Sequence, residues 1–455
     1  MSELPIGWVD GSLGELLAVL RGVSYKKDDA RSEAADELIP LLRASNIQAS
    51  GIVLSDFVFV PKKYVSDEQR LREGDIVIAA SSGSISVVGK AARVVGAEPM
   101  TFGAFCYALR VNRGISNEFV SYFLQSPFYR KAISRLSAGI NINNLKREHI
   151  ATFPISLPPF DEQRRIVAKL DALLEKSGAI RDKLDRLQRL LDQLKKSILN
   201  AAFRGDLTRE WREISEARAD AWCDTTLADV AVEFSYGSSA KSRPDGKIPV
   251  LRMGNIQDGR LAWSDLVYTD DRAEIEKYRL DSGDVLFNRT NSPDLVGKSA
   301  VFRGEREAIY AGYLIRVRCG KDLNPDFLAY LLNGPRGRQY CWQVKSDGVS
   351  QSNINARKLA AFSFQIPGRT EQQEIVRILD DQFSRIRALE YLCQHTSASV
   401  GRMEASSLGK AFRGELVPQD PNDEPASVLL ERIRAERAAA GPPRRTRTKR
   451  LTSST

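Results

Sequence analysis

The chain is poor in the residues from which metal and redox sites are usually built. Its 455 residues include two histidines and five scattered cysteines, and no two cysteines form a CxxC pair. An odd number of scattered cysteines supports neither a disulfide framework nor a zinc site, so we expect neither. Because metal and acid–base sites need convergent groups, His149 and His395 are interpreted as structural or merely exposed residues.

Catalytic sequence motifs and long apolar runs are missing as well. The chain contains no P-loop, no GxSxG elbow, no HExxH and no GxGxxG motif. None of its apolar runs approaches the roughly 20 residues that a bilayer-spanning helix needs. The opening residues, MSELPIGWVD, are acidic where a secretory signal would be basic. We therefore expect a cytoplasmic protein, built for recognition rather than catalysis.

The net charge of +9 is unevenly distributed along the chain. From Gly441 onward there are five basic residues and no acidic one, so subtracting 5 from +9 leaves +4 for the rest. This basic end follows a helix-like segment at 424–440 and is predicted to be disordered, adding either salt-sensitive DNA affinity or only solubility. Such charge is compatible with a nucleic-acid partner but does not by itself establish one.

The sequence contains an internal repeat. AFRGDL at 202–207 returns as AFRGEL at 411–416, a shift of 209 positions. Chance matches would not keep one frame over roughly 170 residues, so we interpret the chain as two copies of one ancestral segment. The frame, which slips to 208 in its middle part, also aligns LREGDIVI (71–78) with LDSGDVLF (280–287), Gly89-Lys90 with Gly297-Lys298, and EQRRIV (162–167) with EQQEIV (371–376).

Each copy is predicted to contain a globular part followed by a long helix. Short β-like runs such as GDIVIAAS, separated by Gly, Ser, Asn and Pro turns, indicate the globular part. The long helices are expected near Asp161–Ala202 and Thr370–Ala411, with Gly205 and Gly414 as left-handed caps.

Apolar residues in both long helices step by four and three, which predicts a coiled-coil seam. The two helices are therefore expected to pack on each other antiparallel; the alternative is that each packs only on its own globular part. The first seam comprises Ile166, Leu170, Leu173, Ser177, Ile180, Leu184, Leu187, Leu191, Leu194 and Ile198. The second, weaker seam comprises Ile375, Leu379, Gln382, Ile386, Leu389, Cys393, Thr396, Val400, Met403 and Ser407.

The predicted fold class is α+β, with two globular α/β domains separated by two long antiparallel coiled-coil helices and an internal pseudo-two-fold repeat. About 40 helical residues would give a spacer of roughly 60 Å. The expected segments are a first domain at 1–158, a central spacer helix region at 159–207, a second domain at 208–367, a C-terminal spacer helix region at 368–417 and a tail at 418–455.

Polar turn segments of both domains carry groups suited to phosphates and base edges. The alternative is ordinary polar turn chemistry, but the copies share their framework and differ in these segments, which favours two similar domains with different targets. The candidates in the first domain are Arg43, Asn46, Ser81, Ser82, Ser84, Lys90, Asn143, Asn144 and Lys146. Those in the second are Arg252, Asn255, Asn288, Arg289, Asn291, Ser292, Lys298, Ser350, Gln351 and Asn353.

The arrangement of these parts resembles a known family. Two variable domains alternate with two long helices, which open with LPPFDEQRRIV and IPGRTEQQEIV and end in AFRGDL and AFRGEL. Together with VLFNRTNSPDLVGKSAVF in the second domain, this resembles the DNA-specificity subunit of Type I restriction–modification systems over about residues 1–417. The first domain departs from the pattern, because IAASSGSISVVGK lacks the Asn-Arg-Thr-Asn sequence found at 288–291 in the second domain.

The resemblance implies that each domain is a target recognition domain that reads one half of an asymmetric bipartite sequence in double-stranded DNA. It implies a subunit that catalyses nothing and binds no cofactor itself. Two methyltransferase (modification) subunits with S-adenosylmethionine, and restriction subunits that translocate and cleave DNA with ATP and Mg, are the implied partners.

The repeated AFRG segments have two interpretations. Locally, each is a helix end, with a packing phenylalanine, an arginine in the last turn and a glycine cap. Equivalent ends of antiparallel helices could also seat two identical partner subunits, which makes Phe203, Arg204, Phe412 and Arg413 docking candidates.

Two other functions stay open at this stage. One is a DNA-modifying enzyme with degenerate motifs, and the other is a coiled-coil scaffold that binds only protein.

Overall fold

The computed structural model describes residues 4–48, 51–81, 87–96, 99–138, 144–214, 222–348 and 351–440. The chain divides into two compact units: unit 1 is Met1–Asp182 with Thr396–Thr455, and unit 2 is Lys183–His395. The helices are α1 (Leu13–Leu16), α2 (Asn117–Gln125), α3 (Pro127–Ala138), α4 (Arg147–Ala151), α5 (Phe160–Phe203), α6 (Arg209–Ile214), α7 (Leu227–Val230), α8 (Arg272–Tyr278), α9 (Pro325–Asn333), α10 (Pro335–Val344), α11 (Ala356–Ala360), α12 (Arg369–Ala411) and α13 (Ala426–Ala440). Each unit thus contains one globular domain and part of each long helix.

Unit 1 is built around a four-stranded antiparallel sheet in the order β2-β10-β7-β8, beside a three-stranded sheet in the order β6-β3-β9. Two short pairs, β1-β11 and β4-β5, complete it. Its strands are β1 (Val9–Ser12), β2 (Leu17–Arg21), β3 (Leu38–Leu42), β4 (Ile47–Gln48), β5 (Gly51–Ile52), β6 (Val58–Pro61), β7 (Ile76–Ala79), β8 (Ala91–Arg93), β9 (Thr101–Phe102), β10 (Cys106–Val111) and β11 (Pro154–Leu157).

Unit 2 repeats this topology, with a four-stranded sheet in the order β13-β22-β18-β20 and a three-stranded sheet in the order β17-β14-β21. Two short pairs, β12-β25 and β15-β16, follow the same plan, and a small sheet in the order β19-β24-β23 is added. Its strands are β12 (Cys223–Thr226), β13 (Ala231–Tyr236), β14 (Ile248–Leu251), β15 (Ile256–Gln257), β16 (Arg260–Leu261), β17 (Val267–Thr269), β18 (Val285–Asn288), β19 (Thr290–Asn291), β20 (Ser299–Val301), β21 (Ile309–Tyr310), β22 (Leu314–Cys319), β23 (Ser346–Asp347), β24 (Ser352–Asn353) and β25 (Ser363–Ile366).

Strand β7 is apolar at all four positions and β18 at its first three, because both faces of the main sheet are covered. In β7, Ile76 and Ile78 belong to one hydrophobic core and Val77 to another. In β18, Val285 and Leu286 divide between two cores in the same way. Successive side chains of a strand point to opposite faces, so a continuous apolar run is what a strand buried on both sides requires.

The long helices pack on each other antiparallel within each unit. In unit 1, Leu170 near the start of α5 shares a core with Leu408 near the end of α12, and Arg181 pairs with Glu404 at 2.5 Å. In unit 2, Leu199 shares a core with the first turns of α12, and Lys195 pairs with Glu390 at 2.5 Å. The predicted fold class, two α/β domains with two long antiparallel helices and a repeat, is confirmed.

The strict four–three seam is wrong in the middle of the helices. Ile166, Leu170, Ser177 and Leu191 are buried, whereas the predicted seam residues Ile180, Leu187 and Leu194 are exposed over 37%, 36% and 46% of their surface. In α12, Leu389 and Met403 are likewise exposed, at 43% and 42%. One of the two alternating seam positions nevertheless stays buried at multiples of seven residues, with Leu170, Ser177 and Leu191 in α5 and Ile386, Cys393 and Val400 in α12. The contact between the helices is therefore a narrower stripe than the predicted seam.

The predicted caps at the ends of the long helices are present. Gly205 and Gly414 have φ angles of 76° and 73°, the left-handed conformation that glycine adopts without strain. The helix-like segment expected at 424–440 is α13, whose Leu429, Leu430 and Ile433 enter the core of unit 1. The basic end from Gly441 onward lies outside the described residues. Among the helices of the described residues, none is both long and apolar enough to cross a membrane.

Candidate functional site

In unit 2, the small sheet brings together two polar segments that lie some 60 positions apart in the sequence. Thr290 pairs with Asn353 and Asn291 with Ser352, while Ser346 and Asp347 flank the other side of β24. We call residues 288–292, 346–348 and 351–353 the unit 2 loop cluster. Six sequence candidates therefore lie in one place: Asn288, Arg289, Asn291, Ser292, Gln351 and Asn353.

Arg289 is held in place by three contacts. Its Cζ lies over the ring of Tyr236, 4.5 Å from the centroid, which is a cation–π contact. Its Nη2 donates to Asn353 Oδ1 and its Nη1 to the carbonyl of Gly312, both at 3.4 Å. Asn353 is itself positioned, because its Nδ2 donates to Thr290 Oγ1 at 2.7 Å. The guanidinium group is thus held in place while its hydrogen bonds are long and weak.

Unit 1 has the same backbone arrangement with different side chains. Ser81 and Asn144 form an isolated antiparallel bridge, and the N–H of Leu145 donates to the carbonyl of Ala80 at 2.7 Å. We call residues 79–81 and 144–146 the unit 1 loop cluster. Ala80 stands where unit 2 has Arg289, so the arginine is a feature of one unit. Lys146 is exposed at the edge of the cluster.

Two exposed aromatic residues whose backbones are hydrogen-bonded to these clusters were missed by the sequence analysis. Phe105 is 69% exposed and Tyr313 is 51% exposed, directly before the equivalent strands β10 and β22. The Phe105 carbonyl accepts the N–H of Ala80 at 2.8 Å, and the Tyr313 carbonyl accepts the N–H of Arg289 at 3.0 Å. The signal in the sequence is an aromatic residue at the same place in both copies, 208 positions apart.

Asn46 and Asn255 are placed inside the framework. Each is only 3% exposed and accepts the N–H of the arginine three positions earlier, Arg43 or Arg252, at 2.9 Å. Their amide groups donate to two backbone carbonyls of the following hairpin. All of these hydrogen bonds are internal, so the two asparagines lock equivalent loops.

Arg43 and Arg252 close the same hairpins from the outside. Arg43 Nη2 donates to the carbonyl of Asp56 at 2.7 Å, and Arg252 Nη2 to that of Asp265 at 2.9 Å. Both aspartates have left-handed backbones, with φ angles of 55° and 54°.

The remaining sequence candidates fall into three groups. Lys90 and Lys298 are half-buried in equivalent turns, and Gln351 is exposed in the unit 2 loop cluster. Asn288 is completely buried, at the end of β18. Ser82, Ser84, Asn143 and Ser350 lie outside the described residues.

The phenylalanines of the AFRG pair pack on the globular domains. The ring centroid of Phe412 lies 5.2 Å from that of Phe119 and 5.3 Å from that of Phe123 in unit 1. In unit 2, Phe203 lies 5.2 Å from Phe327. Helix α5 therefore ends on the globular domain of unit 2, where α12 begins. Helix α12 ends on the globular domain of unit 1, where α5 begins.

The two arginines of the pair remain at the surface. Arg204 pairs with Asp206 at 3.0 Å and Arg413 with Glu415 at 2.7 Å, and both guanidinium groups are more than half exposed.

Near the start of each long helix, a buried glutamate accepts hydrogen bonds, at least one of them from a residue that follows the end of the other long helix. In unit 1, Glu162 Oε2 accepts from Trp8 Nε1 at 3.0 Å and Oε1 from Gln419 Nε2 at 3.3 Å. Burial raises the pKa of Glu162 despite hydrogen bonds from Gln419 and Trp8 that lower it.

In unit 2, the equivalent Glu371 accepts from Thr208 at 2.6 Å and Trp222 at 3.2 Å, and it forms an ion pair with Arg212. We call Glu162 and Glu371, with these partners, the glutamate hubs.

Reactive groups do not converge in the part of the chain that the structure describes. It contains no cluster of three or more His, Cys, Asp or Glu residues able to hold a metal ion. Burial raises the pKa of Cys106 and Cys319 to about 12 and that of Cys341 to about 11, so these thiols stay protonated at neutral pH.

Comparison with known proteins identifies the family. The sequence model described as Type I restriction modification DNA specificity domain matches residues 5–189 and again residues 221–391. The chain belongs to this family. It is therefore a specificity subunit of a Type I restriction–modification system with two recognition domains, as the sequence motifs predicted.

Individual relatives match along nearly the whole subunit. The Type I restriction enzyme EcoKI specificity subunit of Escherichia coli strain K12 is 34% identical over 452 residues, covering 96% of this chain and 97% of that protein. The StySPI specificity subunit of Salmonella potsdam is 35% identical over 453 residues, with the same coverage.

Solved structures show the same fold. A chain from a type I R-M system, studied for its complex assembly and conformational transition, has a TM-score of 0.67 at 21% identity and covers 91% of this chain and 100% of its own length. The HsdS subunit from Thermoanaerobacter tengcongensis has a TM-score of 0.51 at 21% identity, covering 91% of this chain and 98% of its own.

Proposed function

We propose that this specificity subunit binds double-stranded DNA through its two loop clusters, each reading one half of an asymmetric bipartite target. The observation that carries the proposal is that two equivalent backbones present different side chains: Ala80 and Phe105 in unit 1, Arg289 and Tyr313 in unit 2. Different groups on one scaffold select different base edges, whereas shared groups would select the same ones.

The proposed contacts are the polar and aromatic residues that line the clusters or their neighbouring turns. Asn46 and Asn255 are assigned a supporting role, since their hydrogen bonds are already made inside the framework, and Arg43 and Arg252 are assigned the same role. The contact set among the described residues comprises Ser81, Lys90, Phe105, Asn144 and Lys146 from unit 1, and Arg289, Asn291, Ser292, Lys298, Tyr313, Gln351 and Asn353 from unit 2. Ser82, Ser84, Asn143 and Ser350 are proposed as contacts from the sequence alone. Asn288, which is completely buried, is assigned a supporting role.

The subunit is further proposed to act in an assembly rather than alone. The long helices serve as the spacer between the two half-sites and as the seat of two methyltransferase subunits, which supply S-adenosylmethionine and adenine methylation. Restriction subunits with ATP and Mg cleave unmodified DNA. In this assignment the subunit is non-catalytic, binds no cofactor itself and works in the cytoplasm beside the DNA. The solved relative studied as part of a complex assembly supports this assignment.

The docking role of the AFRG arginines is part of the same proposal. Phe203 and Phe412 already pack on the globular domains, which leaves exposed Arg204 and Arg413 as the groups of this pair that a partner could contact.

Methyl transfer separates this function from its rivals. The purified subunit, alone and together with its modification subunit, is given labelled S-adenosylmethionine and duplex DNA. We expect label in adenine only when both subunits are present. Methyl transfer by the subunit alone would show that it is an enzyme in its own right. If the assembled complex binds no duplex DNA, the subunit is instead a scaffold that binds only protein.

A further inference from the structure

Unsatisfied polar atoms are concentrated at one point of unit 2. Among the described residues, six buried side-chain nitrogen or oxygen atoms lack a hydrogen-bond partner, and three of them belong to the neighbours Asn288 and Arg289. Such atoms are rare in folded proteins because each has given up its hydrogen bonds to water without a replacement. Their concentration beside a loop cluster indicates a position that a ligand completes. At the equivalent place, unit 1 has Ala79 and Ala80.

Arg289 is fixed in position but not neutralised. Its backbone is held on both sides, since its N–H donates to the Tyr313 carbonyl at 3.0 Å and its carbonyl accepts from the N–H of Ile354 at 2.9 Å. Its guanidinium group lies over Tyr236. No carboxylate of the described residues forms an ion pair with it, unlike Arg316 and Arg318 on the neighbouring strand, which pair with Glu233. The positive charge is therefore free for a partner.

The geometry favours a base edge over a phosphate. A guanidinium fork fits the O6 and N7 acceptors of guanine in the major groove, and it also fits two phosphate oxygens. A phosphate contact needs mainly charge and tolerates a mobile side chain, whereas base reading needs a fixed plane. The contacts with Tyr236 and Asn353 hold the guanidinium group in place. The half-exposed Tyr313, whose carbonyl accepts the N–H of Arg289, offers a ring suited to apolar contact with bases.

We propose that Arg289 reads a guanine in the half-site bound by unit 2, with Tyr236 and Asn353 as its positioning residues. Unit 1, with Ala80 at the equivalent position, makes no such contact. This inference rests on the proposed DNA-binding function and adds to it the base, the reading residue and the half-site.

The test maps methylated adenines in cells that express the subunit together with its modification subunit. With Arg289→Ala, we expect one guanine of one half-site to lose its selectivity by about tenfold or more, with all positions of the other half-site unchanged. Arg289→Lys keeps the positive charge but not the two-pronged donor, so we expect it to lose the same guanine preference. The lysine variant also decides the question if the alanine variant does not fold.

Arg306 provides the matched control, because its guanidinium lies 4.4 Å from the ring centroid of Trp263 on another loop of unit 2. Arg306→Ala should leave the mapped target unchanged. The inference is overturned if Arg289→Ala lowers methylation uniformly without changing the target, which is the behaviour of a phosphate contact, or if Arg289→Lys retains full selectivity for the guanine. If the wild-type complex shows no bipartite target, the proposed function fails and this inference fails with it.

Discussion

Unit 1 and unit 2 use equivalent residues to hold their frameworks and different residues to fill their loop clusters. Asp75 pairs with Arg110 at 2.7 Å, and the equivalent Asp284 pairs with Arg318 at 3.1 Å. Next to these shared ion pairs, the loop clusters differ in charge, size and hydrogen-bonding groups. The shared ion pairs hold the frameworks, so the side chains of the loop clusters can differ without changing the fold.

The glutamate hubs show a second kind of difference. Glu162 in unit 1 accepts hydrogen bonds from two neutral side chains, Trp8 and Gln419. Glu371 in unit 2 also accepts from neutral side chains of its own, and in addition it forms an ion pair with Arg212. The equivalent glutamate hub thus contains a neutral amide in unit 1 and an ion pair in unit 2.

Lengthening both long helices should have the largest effect. Inserting four residues into α5 and four into α12 adds about 6 Å of helix. If the helices are the proposed spacer, the unread gap in the target grows by one or two base pairs of about 3.4 Å each, and methylation of the original target is lost. Mapping of methylated adenines measures the gap. Length-preserving alanine substitutions at exposed helix positions are the control, and an unchanged gap would refute the spacer.

Removing the cation from the unit 2 hub should destabilise that unit more than the matching change in unit 1. Arg212→Ala leaves Glu371, whose side chain is 5% exposed, without its ion-pair partner and should cost about 2 kcal/mol. Gln419→Ala removes the 3.3 Å hydrogen bond to Glu162 and the 2.6 Å hydrogen bond to the carbonyl of Gly414, but no ion pair, and should cost about 1 kcal/mol. Urea unfolding followed by hydrogen exchange of peptides from each helix start measures both, and equal costs would contradict the difference between the hubs.

Truncating the AFRG phenylalanines should affect stability similarly in the two units. Phe412→Ala and Phe203→Ala each remove a partly buried ring packed on aromatic neighbours, so we expect about 2 kcal/mol for each. The control Arg413→Ala removes only an exposed ion pair and should change stability by less than about 0.5 kcal/mol. Phenylalanine variants of unaltered stability that no longer bind the modification subunit would assign these rings to docking instead.

The smallest expected effect is a pH dependence specific to unit 1. The pKa of Glu162 is raised by burial, so the folded state favours the protonated form. The stabilisation is complete below the ordinary glutamate pKa and is lost as the pH rises through the raised pKa. Glu162→Gln should remove this part of the pH dependence. The chain has five tryptophans and four of them belong to unit 2, so total fluorescence does not isolate this unit. Hydrogen exchange of peptides that contain Trp8 or Glu162, measured in urea at several pH values, reports the change. A slope unaltered in the glutamine variant would exclude Glu162 as its source.

The sequence predicted the repeat, the long helices and their glycine caps because these depend on local signals. A helix cap is predicted from the few residues around Gly205 or Gly414, and a repeat is predicted from matching sequence segments alone. The middle of the seam was predicted incorrectly, because apolar spacing does not show how wide a helix contact is. Leu187 and Leu194 keep the spacing but are exposed, whereas Leu191 between them is buried.

Residues of the candidate site were harder to predict because their surroundings come from distant parts of the chain. Asn255 and Arg289 are both polar residues in turns, yet one is locked in a framework and the other lies in a loop cluster. Tyr313 was not considered, because the sequence does not show that a large aromatic ring lies half-exposed beside a polar loop. The contact of Arg289 with Tyr236 joins residues 53 positions apart, which no local pattern indicates.

The most direct test of the account is a map of methylated adenines in cells that carry the wild-type subunit with its modification subunit. The account predicts two short half-sites of unlike sequence, separated by a gap of fixed length in which any base is accepted. A contiguous target, or two identical half-sites, would contradict the claim that two equivalent frameworks read different DNA.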